Sequence, residues 1–302
     1  MKIGDLLAQR RPCISFEFFP PKTDEGVENL MRTVKSLRIL NPGFVSVTYG
    51  AGGSSRARTL EVVGRIKGEL EIESMAHLTC VGSTRDEMRA LLRELAAGGV
   101  ENIMALRGDP PQGQERFTQT EGGFRYASEL IALLASEFDF SIGAGAYPEI
   151  HPEAADSAAE VRVAVAKIRA GANFLVTQFF FENEAYFAHV ERLRAAGIDV
   201  PIVPGVMPIT NYAGVARMLK MNGGRMPQRL LAELEARVDE PEAVAELGVA
   251  FTALQCRELL AGGAPGLHFY TLNRSTATRA VVSALIASGA IREAALAGTA
   301  PP

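Results

Sequence analysis

FLVTQFFFENEAYFAHVERLRAAG, residues 174–197, changes its period in the middle. The apolar run FLVTQFFF (174–181) gives way to NEAYFAHVERLRAAG (183–197), where apolar residues recur at helical spacing and a glycine marks the end. A short buried run leading into an amphipathic helix is one β–α unit. Several such units in series build a parallel sheet with helices packed on it.

Seven more runs repeat the pattern along the chain: ISFEFF (14–19), FVSVTYG (44–50), ESMAHLTC (73–80), NIMALRG (102–108), SIGAGAYP (141–148), PIVPGVMP (201–208) and LHFYTLN (267–273). Helical segments lie between them, among them DEGVENLMRTVKSL (24–37) and STRDEMRALLRELAAG (83–98), which open on Asp and Ser as the 183–197 segment opens on Asn. Eight β–α units predict a single (β/α)8 TIM barrel over residues 1–302, one catalytic domain with no separate regulatory domain, a fold that typically takes about 250 residues. Two segments interrupt the alternation. Residues 109–123 form a long polar loop after the fourth strand, and residues 225–262 add about two helices before the eighth.

The 302-residue chain is 47% hydrophobic and 22% charged, the composition of a soluble globular protein. Its net charge of −4 comes from interspersed acids and bases, with no basic stripe for nucleic acid and no polybasic patch for a membrane, so the expected partners are small molecules. Cys13, Cys80 and Cys256 stand far apart without CxxC spacing. MKIGDLLAQRRPC lacks the apolar stretch of a signal peptide, and no apolar run approaches the ~20 residues of a membrane span, which places the expected location in the cytoplasm. His77, His151, His189 and His268 form no HExxH or other compact ligand set, so no metal is expected.

Barrel active sites gather at the C-terminal ends of the strands. That rule brings Glu17, Thr48, His77, Asp109, Tyr147, Gln178 and Arg274 to one mouth, each from a different strand end. YGAGGSSRAR (49–58) is either a flexible loop or an anion cradle before a helix, and it matches neither GxGxxG nor GxxxxGK[ST]. Asp109 in ALRGDPP is either turn chemistry or a carboxylate fixed at the mouth. Gln178 in TQFFF is either satisfied internally or reserved for a polar heterocycle. His77 and His151 lie where they would touch a ligand, whereas His189 on a helix reads as structural.

Glu17 is the most pointed case. Period-two alternation sets Ser15, Glu17 and Phe19 on one face of the first strand and Ile14, Phe16 and Phe18 on the other. Either it pairs with an arginine or lysine from another strand, or apolar surroundings raise its pKa so that it carries a proton at neutral pH, as a general acid does.

SFEFFPPKT, FVSVTYG, HLTC, ALRGD, AYPEIHPEA, AGANFLVTQFFF and HFYTLNR follow one another over residues 15–274. Together they resemble the catalytic barrel of the methylenetetrahydrofolate reductases, in the short form found in bacteria. The resemblance implies a homo-oligomeric FAD enzyme in which NADH or NADPH first reduces the flavin and leaves, and 5,10-methylenetetrahydrofolate then takes its place. It implies Glu17 as the general acid at folate N10 and Asp109 as a second catalytic carboxylate near flavin and pterin. It further implies Gln178 and Arg274 as substrate-binding residues, and Thr48, His77, Arg107, Gly108, Asp109, Tyr126, Ala127, Tyr147, His151, Glu160 and Lys167 as residues that hold FAD.

Several positions depart from the bacterial pattern. Glu160 stands in place of an aspartate, Val163 and Ala166 replace polar or basic side chains on the same helix, Gly214 replaces a glutamine and Met218 a phenylalanine. These changes bear on cofactor affinity and nucleotide preference more than on the reaction. Two other readings stay open: a different FAD barrel, similar to proline dehydrogenase, or a folate- or flavin-binding homologue without turnover.

Overall fold

The computed structural model describes residues 1–9, 12–49, 56–110 and 117–291. Eight strands, β1 (Cys13–Phe18), β2 (Phe44–Val47), β3 (Ser74–Thr79), β4 (Asn102–Leu106), β5 (Ser141–Ala146), β6 (Phe174–Phe179), β7 (Ile202–Val206) and β8 (Gly266–Tyr270), pair in parallel in chain order. They close where β8 returns to β1. This is the (β/α)8 barrel the alternation predicts.

Helices α1 (Ile3–Ala8), α2 (Asp24–Arg38), α3 (Arg56–Leu70), α4 (Arg85–Ala97), α5 (Ala127–Glu137), α6 (Ser157–Arg169), α7 (Asn183–Ala195), α8 (Tyr212–Asn222), α9 (Gln228–Glu235), α10 (Pro241–Ala261) and α11 (Thr276–Ala287) complete the described elements. The two extra helices expected before the eighth strand are present as α9 and α10. Among the described residues no helix is long and apolar enough to cross a membrane.

Strand alternation sorts side chains between two cores. Ile14, Phe16, Phe18, Val45, Val47, Ala76 and Leu78 point outward and pack with Val27, Leu30, Val34, Val62, Val63 and Ile66 of α2 and α3. Burying each large aliphatic or aromatic side chain contributes about 1.5–3 kcal/mol. Phe44, Met75, Met104, Phe174, Val176 and Val203 point inward and fill the lower half of the barrel.

α1 closes that lower end, and its six residues give too little periodicity to be read from sequence. Ile3 and Leu7, at i and i+4, bury against the inward cluster. The N–H of Ile3 donates to Asn102 Oδ1 at 2.8 Å and that of Gly4 to Ser141 Oγ at 2.9 Å, which satisfies two free donors of the helix start.

The sequence runs extend past the observed strands mainly at their C-terminal ends, where the chain turns out into the loops of the mouth. Helix starts also move by a residue. Thr23 caps α2, Thr84 caps α4 in a reciprocal box with Glu87, and Glu182 precedes α7 without a side-chain cap, so Asp24, Ser83 and Asn183 are not the capping residues. Residues 50–55 of the glycine-rich stretch and 111–116 of the long polar loop lie outside the described residues.

Candidate active site

Glu17 is the third inward residue of β1, after Cys13 and Ser15, and it sits between two imidazoles. His268 Nε2 approaches Glu17 Oε2 at 3.3 Å and His77 Nε2 approaches the same oxygen at 3.4 Å. The His77 contact is not aligned as a hydrogen bond and acts through charge alone. His268 is fully buried, stacked on Phe44 at 5.8 Å, with Nδ1 2.8 Å from Ser15 Oγ. Ser15 Oγ also lies 3.3 Å from Leu267 O, and when its proton goes to His268 Nδ1 the imidazole donates from Nε2 toward Glu17. The Nε2 to Oε2 contact is a hydrogen bond between imidazole and carboxyl. Both nitrogens address one carboxylate oxygen, and among the described residues no group is arranged to hold a metal.

The electrostatics favour one of the two readings of Glu17. Burial, the largest single influence, pushes its carboxyl up, but His77, His268 and Ser46 together outweigh burial and hold it below the ordinary value. The apolar neighbours Phe16 and Phe18 face the helices and do not surround the carboxylate. The paired-base alternative holds in altered form, with two histidines in place of an arginine or lysine. Burial pushes His77 down, Glu17 opposes this, and His268 adds to it.

A second group lies across the mouth. Tyr147, just past β5, meets His151 edge to face at 4.6 Å. The His151 N–H donates to Glu160 Oε1 at 3.1 Å, and His151 Nδ1 accepts from the Glu153 N–H at 3.0 Å. Glu160 of α6 is 6% exposed and its carboxyl is pushed up by burial. Lys167, also on α6, donates from Nζ to Gly145 O at 2.7 Å. Burial pushes its enclosed ammonium down to about 8, with Glu160 opposing and Arg107 adding to the effect. Among the described residues no carboxylate lies within ion-pair distance of Lys167. Arg107, past β4, forms a two-pronged pair with Glu153 at 2.5 and 2.9 Å and stacks over Phe117 at 5.2 Å.

Gly108 has φ +86°, and a Cβ there would meet Val81 at 2.7 Å, so only glycine lets β4 leave the barrel so close to the β3 loop. Asp109 follows, exposed, with its charge felt by Arg107, Tyr147 and His151. Gln178 lies near the Tyr147 hydroxyl, and its Oε1 accepts from the Phe179 N–H at 3.0 Å.

Other nominated residues sit nearer the rim. Thr48 follows β2, its N–H donating to Phe18 O at 2.9 Å. Arg274 is exposed past β8, with no carboxylate in ion-pair distance among the described residues. Tyr126, half-exposed beneath Arg125, and buried Ala127 begin α5, and the contacts described for Tyr126 are local. Val163 is exposed on α6 and Ala166 with it. Gly214 sits in the first turn of α8, its N–H capped by Asn211 Oδ1 at 2.7 Å, and Met218 packs on the cluster of Phe179 and Met207.

Ser15, Ser46, His268 and Tyr270 were not nominated from sequence, yet they complete the centre. The signal was present for two of them: in LHFYT, His268 and Tyr270 alternate with outward Leu267 and Phe269, and strand pairing sets His268 beside Ser15.

Fold and site together define a parallel (β/α)8 barrel whose mouth carries a buried carboxylate–imidazole centre facing a group of cations. The sequence profile of the methylenetetrahydrofolate reductase family matches residues 2–286, and the chain belongs to that family. It is 40% identical over 283 residues to methylenetetrahydrofolate reductase (NADH) 1 of Arabidopsis thaliana, covering 90% of this chain and 48% of that protein. The chain thus spans about half the length of the plant relatives it matches. To the 5,10-methylenetetrahydrofolate reductase of Escherichia coli it is 38% identical over 272 residues, covering 90% of each. Among solved structures, an uncharacterized protein from Clostridium thermocellum that binds two copies of 5-methyl-5,6,7,8-tetrahydrofolic acid shares the fold, with a TM-score of 0.63 at 17% identity, covering 94% of this chain and 97% of that one.

Proposed function

We propose that the chain reduces 5,10-methylenetetrahydrofolate to 5-methyltetrahydrofolate with NADH or NADPH as donor and FAD as resident cofactor, one barrel domain serving both half-reactions. The observation that carries this reading is the buried Glu17 carboxyl held by His268 and His77 at the floor of the mouth. Reduction breaks the bond from the methylene carbon to N10 and places a proton on N10 and a hydride on that carbon. FAD, when bound, supplies the two-electron carrier between nicotinamide and folate.

The residues fit such a cofactor. Lys167 is a part-buried cation whose pKa is pushed down to about 8, and Arg107 adds a second positive charge nearby. A diphosphate placed there would give Lys167 the counter-charge it lacks among the described residues. Thr48, His77, Gly108, Asp109, Tyr126, Ala127, Tyr147, His151 and Glu160 form the rest of the proposed cradle.

Glu17 is the proton donor to N10. Its carboxyl lies low only while two imidazoles and Ser46 stabilise the charge. An approaching folate excludes water, which favours the protonated carboxyl; its proton passes to N10 as the bond to the methylene carbon breaks, and the carboxylate left behind is held by His77, His268 and Ser46. Asp109, exposed at the rim, stabilises the cation that develops on the folate. Gln178 binds the pterin by its amide, and Arg274 pairs with the carboxylates of the folate tail.

An anaerobic titration of FAD-reconstituted protein tests this. NADH or NADPH is expected to bleach the flavin absorbance, and methylenetetrahydrofolate to restore it. Failure to bind FAD, or a reduced flavin indifferent to the folate, overturns the proposal.

A further inference from the structure

β6 and β7 fall out of register beside Gln178. On its β5 side β6 pairs regularly, from Gly143↔Phe174 to Ala146↔Thr177. On its β7 side Leu175↔Ile202 and Val176↔Val203 are followed by Phe179↔Gly205, so β6 carries one residue more than its partner. A bulge of this kind releases backbone groups from the ladder and re-aims the side chains around it.

The released groups have specific partners. The Tyr270 hydroxyl, reaching across from β8, donates to Thr177 O at 2.7 Å, and the Gly205 N–H donates to Thr177 Oγ1 at 2.9 Å. The fit leaves no room: a Cβ on Gly205 would lie 2.1 Å from Thr177 O and 2.6 Å from the Tyr270 ring. Tyr270 also packs edge-on against Phe179 at 6.3 Å and against His268 at 5.5 Å. One side chain therefore touches both the bulge next to Gln178 and the imidazole that reaches Glu17. Burial, then the Glu17 charge, keep its phenol protonated and able to donate.

We propose that Tyr270 is a positioning residue, its hydroxyl holding the β6 bulge that sets Gln178 against the Glu17–His268 centre. This rests on the reading that the folate reacts at this mouth and meets Gln178. Without the hydroxyl, Thr177 O loses its side-chain donor, and the bulge relaxes toward a regular ladder that turns the amide away.

A double-mutant cycle on the FAD-reconstituted chain tests it. Tyr270→Phe is expected to lower kcat/KM for methylenetetrahydrofolate about tenfold, mainly through KM, and to cost less than about twofold in a Gln178→Ala background. An equal loss in both backgrounds, or none, overturns it. Thr177→Val, which removes the other tie of the bulge, takes the same place in the cycle if Tyr270→Phe does not fold. A readout independent of turnover is hydrogen exchange at the Phe179 amide, the donor to Gln178 Oε1. Exchange about tenfold faster in Tyr270→Phe is the expected result, and an unchanged rate overturns the proposal even in a chain without reductase activity. Absence of folate turnover in the unmutated enzyme counts instead against the proposed reaction.

Discussion

The lower and upper halves of the barrel interior are built from the same strands one or two inward steps apart, yet they share almost no chemistry. On β2 the inward residue changes from Phe44 to Ser46, on β3 from Met75 to His77, and on β1 from Cys13 through Ser15 to Glu17. Below, α1 seals an apolar floor. Above, Glu17 meets His268 and His77 while Gln178, Tyr147, Arg107 and Lys167 surround an open mouth. The step of about 7 Å between inward residues on a strand separates what holds the barrel from what acts in it.

Substitutions at the two ends should separate activity from stability. Glu17→Gln is expected to reduce steady-state folate reduction by about 10²–10⁴-fold in a protein that still folds, as for loss of a general acid. Phe174→Ala, on the floor, should do the converse. It should cost about 3–5 kcal/mol in denaturant unfolding, while turnover per folded molecule stays within about twofold. A large fall in turnover at constant stability for Phe174→Ala would break the division.

His189 lies outside both halves, 1% exposed on α7, with burial pushing it down to about 4 and Arg192 and Lys167 adding to the effect. From its ordinary value of 6.5 down to about 4, the unfolded chain takes up a proton that the folded chain does not. Stability therefore falls as pH drops through that window, by roughly 3 kcal/mol. His189→Leu is expected to flatten this acid limb in unfolding curves taken across the window, and an unchanged limb would contradict it. The smallest effect is Ser15→Ala, which removes the partner of His268 Nδ1. A hydrogen bond of this kind contributes about 1 kcal/mol, so the folate half-reaction should slow about fivefold while reduction by nicotinamide is unaffected.

Much of this division was legible in the chain before it was folded. Alternation in ISFEFF placed Glu17 on the inner face and Phe16 and Phe18 on the outer, and the count of eight runs set the mouth where it stands. His268 was not assigned to the mouth because its neighbours Leu267 and Phe269 make the run look like plain core, and its role depends on β8 closing against β1, a pairing some 250 residues apart in sequence. The bulge at Thr177 was illegible for the same reason, since the hydroxyl that holds it belongs to Tyr270. The pKa of Glu17 stayed open in the sequence because its outward neighbours are visible there, whereas the imidazoles that govern it come from β3 and β8.

The claim that Glu17 delivers a proton to the folate is tested most directly by stopped-flow comparison of the two half-reactions in FAD-reconstituted Glu17→Gln. Flavin reduction by the nicotinamide donor should stay within about threefold of the unmutated rate, while reoxidation by methylenetetrahydrofolate falls at least about 100-fold. Equal losses in both half-reactions would make Glu17 a structural partner of the two histidines and contradict the account.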